Sequence, residues 1–107
     1  MLEKSVRPGF WDLIDEIDRE LELAFLRLLG SRELGAAVSL GEAALAVGGE
    51  SWRSLLERAE IVTRRMAAQG ILEFLPASVA GGGGRAAVRV RLSRRQSQEQ
   101  LAQSQLN

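Results

Sequence analysis

The sequence predicts a mainly α-helical domain with a small β-hairpin, an α+β fold, for three reasons. Apolar residues recur at helical spacing in two long stretches, a Ser-Leu-Gly-Glu segment has the form of a helix start, and a Val-Arg-Val-Arg-Leu segment alternates like a strand. The length of 107 residues corresponds to one domain. We place this domain at residues 10–92, between a flexible lead-in at 1–9 and a glutamine-rich, disordered tail at 93–107.

The first predicted helix covers residues 10–29. Its apolar residues recur in steps of three and four, and its first turns are acidic, which suits the positive end of a helix dipole. Gly30 is expected to end it. Leu23 and Leu26 lie off the main apolar stripe, so they are candidates for contact with a protein partner or with a second copy of the chain.

A very short strand at residues 37–38 and a short helix at residues 40–47 are predicted next. The start of this helix fits a capping box, because Ser39 and Glu42 stand three residues apart. In a capping box the serine hydroxyl accepts a hydrogen bond from the backbone N–H of the glutamate, and the carboxylate accepts one from the backbone N–H of the serine. Gly48 and Gly49 predict where the helix ends.

The second long helix is predicted over residues 52–69, and Gly70 follows it as the expected cap. At about 100° per residue, one side faces the core, and the opposite side is mostly charged. Ile61 lies on this charged side, which suggests an apolar contact with a partner. The core-facing side comprises Trp52, Leu55, Leu56, Ala59, Val62, Thr63 and Met66.

Two short strands, at residues 71–75 and 88–92, predict a hairpin around a glycine-rich loop at 77–86. In the second strand the valines and the leucine are expected to point inward and the arginines outward. The order is helix, short strand, capped helix, tight turn, longer helix and hairpin. This is the order of a winged helix-turn-helix domain, with three helices and a wing of two or three strands.

Four segments within residues 38–92 are specific enough to compare with a known family. They are Val38-Ser39-Leu40-Gly41-Glu42, Trp52-Arg53, the run over 62–72 and Arg89-Val90-Arg91-Leu92. Together they resemble an uncharacterised bacterial family of small winged-helix-like domains, known as a domain of unknown function. Ala87 stands where that family often has a proline, and the loop here is unusually rich in glycine. The resemblance implies the fold and brings no established activity.

The residue types that are missing from the chain argue against catalysis. The sequence has no cysteine and no histidine, which removes thiolate nucleophiles, disulfides and the commonest general base and metal ligand. The run 81–84 lacks the lysine and the serine or threonine of a phosphate-binding loop. We interpret the acidic residues of the first helix as solvated. We therefore expect no enzyme activity, no cofactor and no metal.

The charge of the chain is balanced overall but divided between its halves. Residues 1–51 hold ten acids and five bases, whereas residues 52–107 hold four acids and nine arginines. This asymmetry indicates either a basic binding face or attraction between the two halves. No apolar stretch is long enough to span a membrane, and the first residues lack a signal peptide, so we expect a cytoplasmic protein without a membrane partner.

Our first functional prediction is binding to double-stranded DNA by a regulatory or DNA-associated module. In helix-turn-helix proteins the second helix of the motif enters the major groove, where arginines contact phosphates and guanine edges. Wing arginines would contact the backbone or the adjacent minor groove. The candidate residues are Arg53, Arg58, Arg64 and Arg65 on the long helix and Arg85, Arg89 and Arg91 in the wing.

The alternative prediction is a protein-interaction or dimerisation module that binds no nucleic acid. Ion pairs at i, i+4 spacing, Arg53 with Glu57 and Glu60 with Arg64, would neutralise part of the presumed DNA-binding face. The contact residues would then be Ile61, Leu23 and Leu26. A homodimer would be compatible with either prediction, because two-fold DNA sites need paired reading heads.

Overall fold

A computed structural model describes residues 10–76 and 83–94 of the chain, without the side chains of 10–14. The predicted lead-in at 1–9, most of the glycine-rich loop and the tail from residue 95 lie outside the described residues. Three α-helices and three strands make up the described part: α1 (Phe10–Gly30), β1 (Val38–Ser39), α2 (Leu40–Gly48), α3 (Leu56–Ala68), β2 (Leu72–Phe74) and β3 (Arg89–Leu92). Two 3₁₀ segments, Gly49–Leu55 and Arg85–Ala87, precede α3 and β3. The predicted class, mainly helical α+β, is confirmed.

The three strands form one antiparallel sheet in the order β1-β3-β2. Val90 of β3 is opposite both Val38 of β1 and Phe74 of β2, and it is fully buried. Because side chains alternate along a strand, Arg89 and Arg91 project from the other face of the sheet. We call this the outer face of the sheet; the inner face packs against the helices.

The core lies where the three helices meet the inner face of the sheet. Every helix contributes residues from its predicted apolar stripe, and each strand contributes one residue. Burial of a large aliphatic or aromatic side chain stabilises the fold by about 1.5–3 kcal/mol, so this cluster holds the hairpin on the helices. Its largest members are Phe25 and Leu21 of α1, Leu40 of α2, Val62 and Met66 of α3, and Val38, Leu72 and Val90 of the sheet.

The long second helix starts later than its periodicity predicts. Residues 52–55, predicted as α-helix, belong to the 3₁₀ segment, and Ser51 has non-helical backbone angles of φ −93° and ψ 15°. The helix α2 is capped by Gly49, where φ is +56°, and the tighter 3₁₀ geometry of the following residues leads into α3. The hydroxyl of Ser54 also donates to the carbonyl of Ser51 at 2.8 Å, which competes with α-helical hydrogen bonding.

The predicted helix ends are confirmed at two places. At the start of α2, Ser39 Oγ accepts from the backbone N–H of Glu42 at 3.0 Å, and the Glu42 carboxylate accepts from the backbone N–H of Ser39 at 3.0 Å. At the end of α3, Gly70 has φ +81°, and the N–H of Ile71 donates to the carbonyl of Met66 at 2.9 Å. That bond belongs to a Schellman motif, which needs a residue with positive φ at the glycine position.

Removal of the serine cap of α2 should destabilise the protein measurably. We expect Ser39→Ala to lower the free energy of unfolding by about 1 kcal/mol, because the N–H of Glu42 loses its acceptor. Ser31→Ala is the matched control, since this exposed serine only donates to a carbonyl at the end of α1. Urea denaturation of the two variants compares the effects. Equal stability of both variants would contradict a stabilising role for the capping box.

Candidate nucleic-acid interface

Two of the predicted DNA-binding arginines lie against α1 at a buried carboxylate. Arg58 donates from Nε and Nη2 to the two oxygens of Asp18 at 3.0 and 2.6 Å, and Arg65 Nη2 lies 3.7 Å from the same carboxylate. The Asp18 side chain is only 7% exposed. The hydrogen bonds with Asp18 hold the pKa of the Arg58 guanidinium above its usual value. Arg58 therefore serves first to join α1 to α3, and its side chain is only 29% exposed.

Two further arginines converge from α3 and from the hairpin on a second carboxylate. Arg64 donates to Glu60 Oε2 from Nε at 3.1 Å and from Nη2 at 2.9 Å, and Arg85 Nε lies 2.7 Å from Glu60 Oε1. We call Glu60, Arg64 and Arg85 the cleft triad. The side chains of Arg64 and Arg85 are 66% and 49% exposed, while that of Glu60 is 27% exposed. The triad carries a formal charge of +1, and its positive groups face solvent.

The cleft triad forms the rim of a cleft between α3 and the hairpin. The cleft has a volume of about 480 Å³, and its other lining residues are Leu40, Phe74, Gly84 and Val88. The guanidinium of Arg64 lies 5.5 Å from the centre of the Phe74 ring, within the range of a cation–π contact. Helix and hairpin thus meet at one basic cleft with an apolar floor.

The remaining wing arginines are placed elsewhere. Arg91 Nε lies 2.6 Å from a carboxylate oxygen of Glu73, and this pair is on the outer face of the sheet. Arg89, two residues earlier, projects from the same face. The seven predicted DNA-binding arginines therefore occupy several surfaces: the α1–α3 junction, the cleft, the outer face of the sheet and the 3₁₀ segment before α3.

Arg53 differs from its predicted environment. Its guanidinium lies 4.5 Å from the centre of the Trp52 ring, and within the described part of the chain no Arg53–Glu57 ion pair forms. The predicted i, i+4 pair requires an α-helix, whereas Arg53 belongs to the 3₁₀ segment. The predicted pair of Glu60 with Arg64 is confirmed.

The three residues predicted for protein contact are exposed, as expected. Leu23 and Leu26 on α1 are 50% and 39% exposed, and Ile61 on α3 is 39% exposed. Leu23 and Leu26 lie on α1, whereas Ile61 lies on α3, where charged residues stand on both sides of it in the sequence. Their exposure leaves all three side chains accessible to a partner.

The sequence predicted the pairing of Glu60 with Arg64, but not the contacts of Asp18 with Arg58 and Arg65 or that of Glu60 with Arg85. Asp18 falls on the apolar stripe of α1 between Ile17 and Leu21, and a carboxylate in such a position is the one available sign of a buried ion pair. The contact of Glu60 with Arg85 joins residues 25 positions apart across a loop, so no local spacing indicates it.

Comparisons of the chain with protein-family models, with curated proteins and with solved structures gave no match. The resemblance of residues 38–92 to a bacterial family of winged-helix-like domains therefore stays a prediction. Within residues 10–76 and 83–94 there is no cluster of three or more residues of the types that hold a metal ion. In the same ranges, no helix has the length and apolar character that a membrane span requires.

Acid should remove the stabilising effect of Glu60. The hydrogen bond from Arg64 lowers the pKa of Glu60 below its usual value near 4.5. The carboxylate therefore stabilises the fold above the unfolded-state pKa, and this stabilisation disappears as the pH falls through the lower folded-state pKa. We expect Glu60→Gln to be less stable than the wild type at pH 7, by under about 1 kcal/mol, and equally stable at the acid end.

Urea denaturation from neutral to acid pH measures this difference, with Glu57→Gln on the exposed side of α3 as the matched control. At pH 7 the control should lose less stability than Glu60→Gln, because Glu57 makes no ion pair within the described residues. A Glu60→Gln deficit that stays constant on acidification would contradict the assignment of charge to the triad.

Proposed function

We propose that this chain is a winged helix-turn-helix module that binds double-stranded DNA with α3 and the hairpin. In this proposal the module works by binding alone, without catalysis or a cofactor, in the cytoplasm. The basic cleft between α3 and the hairpin carries the proposal, because the two elements that contact DNA in winged helices meet there around an excess of positive charge.

The order of elements supports the fold named in the proposal. A helix, a short strand, two helices joined by a tight turn and then a hairpin follow each other along the chain, and β1 pairs with β3 on the free side of the hairpin. The turn at Gly48 and Gly49 separates α2 from α3, as the turn of a helix-turn-helix motif does. In that motif α3 would be the helix that enters the major groove.

The distribution of charge supports an anionic partner. Asp18 and Glu60 each lie within ion-pair distance of two arginines, so each group of three side chains has a formal charge of +1. Asp15 and Glu57 also lie near Arg58 and offset the positive charge at Asp18. Arg64 and Arg85 are the most exposed of these four arginines, so their guanidiniums are the most accessible to a phosphate group. Each phosphate that they neutralise would release a counterion and so add to the affinity for DNA.

The contacts divide the predicted arginines by role. Arg64 and Arg85 form the centre of the proposed DNA-binding surface, and Arg53 extends it toward the start of α3. Arg65, which is 47% exposed, lies at its edge on the side of α1. Arg58 has a structural role, because both oxygens of a buried carboxylate hold it. The outer-face arginines of β3 stand outside the surface.

Fluorescence anisotropy of a labelled random duplex, titrated with the full chain across a salt series, tests the proposal. We expect saturable binding that weakens steeply as salt rises, with a logarithmic slope near −0.9 for each phosphate neutralised. The slope itself measures the number of ionic contacts, so the wild-type chain is sufficient for this test. Absence of binding even at low salt would overturn the proposal.

A protein-interaction module is the second candidate, and the exposure of Leu23 and Leu26 on one helix favours it. A homodimer through α1 would cover both side chains. Sedimentation equilibrium of the wild type and of a Leu23→Ser/Leu26→Ser variant tests this candidate. A concentration-dependent dimer that the variant loses would support it, and a wild-type monomer at all concentrations would overturn dimerisation.

A further inference from the structure

The cleft between α3 and the hairpin has the dimensions of a small-molecule site. Its volume of about 480 Å³ falls within the range of roughly 300–1,000 Å³ that is typical of ligand pockets. Such pockets combine an apolar lining with a few convergent polar groups. The cleft has both parts, an apolar floor and the charged rim of the cleft triad.

The floor of the cleft is fixed to the core. Leu40 is fully buried at the start of α2, and its backbone N–H donates to the carbonyl of Val88 at 2.9 Å. Phe74 and Val88 are partly buried and pack against the core cluster. An apolar group that enters the cleft therefore meets a preformed surface, and little ordering of the protein opposes its binding.

The rim presents guanidinium donors that no residue within 10–76 and 83–94 uses. Each guanidinium has five N–H donors, and the contacts with Glu60 use two from Arg64 and one from Arg85. The carboxylate of Glu60 holds both guanidinium groups in place, and the two arginine side chains remain 66% and 49% exposed, so a ligand in the cleft can reach them. A planar carboxylate or a phosphate is the ligand that this fork geometry favours.

We propose that this cleft binds an organic anion, whose phosphate or carboxylate lies on Arg64 and Arg85 and whose apolar body lies on Phe74 and Val88. A carboxylate neutralises the +1 charge of the cleft triad, and a phosphate monoester, with a charge of about −1.5 to −2 at pH 7, exceeds it. The apolar body distinguishes this ligand from a bare inorganic ion, which would use the rim alone.

A ligand in the cleft occupies the same guanidiniums that the proposed function assigns to DNA. Bound organic anion and bound duplex therefore compete, and the ligand lowers the affinity for DNA. This consequence rests on the proposed function, whereas binding of the organic anion itself does not.

Titration of the isotope-labelled full chain with phenyl phosphate, followed by amide resonances in two-dimensional NMR, tests the proposal directly. We expect saturable shifts centred on Phe74, Gly84 and Val88, with a Kd of about 1 mM or tighter. Inorganic phosphate supplies the acid group alone, and benzyl alcohol supplies the ring alone. We expect each to bind at least about tenfold more weakly than phenyl phosphate, because each uses only half of the cleft.

Variants of the rim locate the site. Arg64→Ala and Arg85→Ala should each weaken phenyl phosphate binding about tenfold or more. Arg91→Ala is the matched control, because it removes the same charge from an exposed arginine–glutamate pair on the outer face of the sheet. The spectrum of each variant reports whether it folds, and Arg85→Ala changes only a short 3₁₀ segment outside the main helices.

Shifts that fail to saturate, shifts outside the cleft, or equal affinity for phenyl phosphate and inorganic phosphate would each overturn the proposal. Equal weakening by Arg91→Ala and Arg64→Ala would do the same. The titration contains no DNA, so these failures leave the proposed function standing. Conversely, a chain that binds phenyl phosphate in the cleft and no duplex overturns the proposed function and retains the ligand site.

Discussion

Replacement of Asp18 with alanine should lower the free energy of unfolding by about 3 kcal/mol, the largest stability effect that we predict. Asp18 is nearly buried, and its two oxygens accept hydrogen bonds from Arg58 at 3.0 and 2.6 Å. Loss of the carboxylate leaves the guanidinium of Arg58 between α1 and α3 without its partner. Removal of one partner of a buried ion pair usually costs about 3–5 kcal/mol. We expect the lower end of this range, because 29% of the Arg58 side chain is exposed to water.

Asp15→Ala is the matched control, since Asp15 is an exposed carboxylate one turn earlier on α1 that acts on Arg58 through its charge and without a hydrogen bond. It should change the unfolding free energy by less than about 0.5 kcal/mol. A double-mutant cycle of Asp18→Ala with Arg58→Ala, measured by urea denaturation, isolates the coupling between the two residues. Coupling near zero, or equal losses for Asp15→Ala and Asp18→Ala, would contradict the assignment of a buried pair.

The second large effect concerns DNA. We expect the Arg64→Ala/Arg85→Ala variant to bind a random duplex about 100-fold more weakly than the wild type near 0.1 M salt, because each lost phosphate contact costs about tenfold there. The two guanidiniums contact one cleft from two different elements, so their combined loss removes the centre of the proposed surface.

Arg27→Ala controls for the loss of charge, because Arg27 is an exposed arginine in the last turn of α1. Its duplex affinity should stay within about threefold of the wild type. Arg91→Ala separates the hairpin cleft from the outer face of the sheet, and a small effect is expected there as well. A loss with Arg91→Ala as large as that with Arg64→Ala would contradict the division of the arginines between two surfaces.

The elements that the sequence predicts well are those determined by neighbours in the chain. The stripe of α1 buries Leu21 and Phe25 as its spacing requires, and Ser39 and Glu42 form both bonds of the capping box. Alternation in β3 buries Val90 between exposed arginines. In each case the pattern and the structure depend on the same few consecutive residues, so the prediction follows from local geometry.

Long-range contacts account for what the sequence does not predict. The start of α3 at Leu56 follows the turn at Gly49 and the 3₁₀ segment after it. The close approach of α2 to the second 3₁₀ segment, where a Cβ atom on Gly41 would lie 3.1 Å from the carbonyl of Ala86, joins residues 45 positions apart. Three of the arginine–carboxylate contacts join residues that are distant in sequence: Asp18 lies 40 residues from Arg58 and contacts Arg65 as well, and Glu60 lies 25 residues from Arg85. The charge asymmetry of the two halves is thus partly satisfied within the molecule, which supports the prediction of mutual attraction.

The salt dependence of duplex binding tests whether α3 and the hairpin present one phosphate-binding surface at the cleft. It is measured side by side for the wild type and for the Arg64→Ala/Arg85→Ala variant. We predict a steep slope for the wild type and a slope that is shallower by about two phosphate contacts for the variant. Identical slopes for the two proteins, or wild-type binding that does not change with salt, would contradict such a surface.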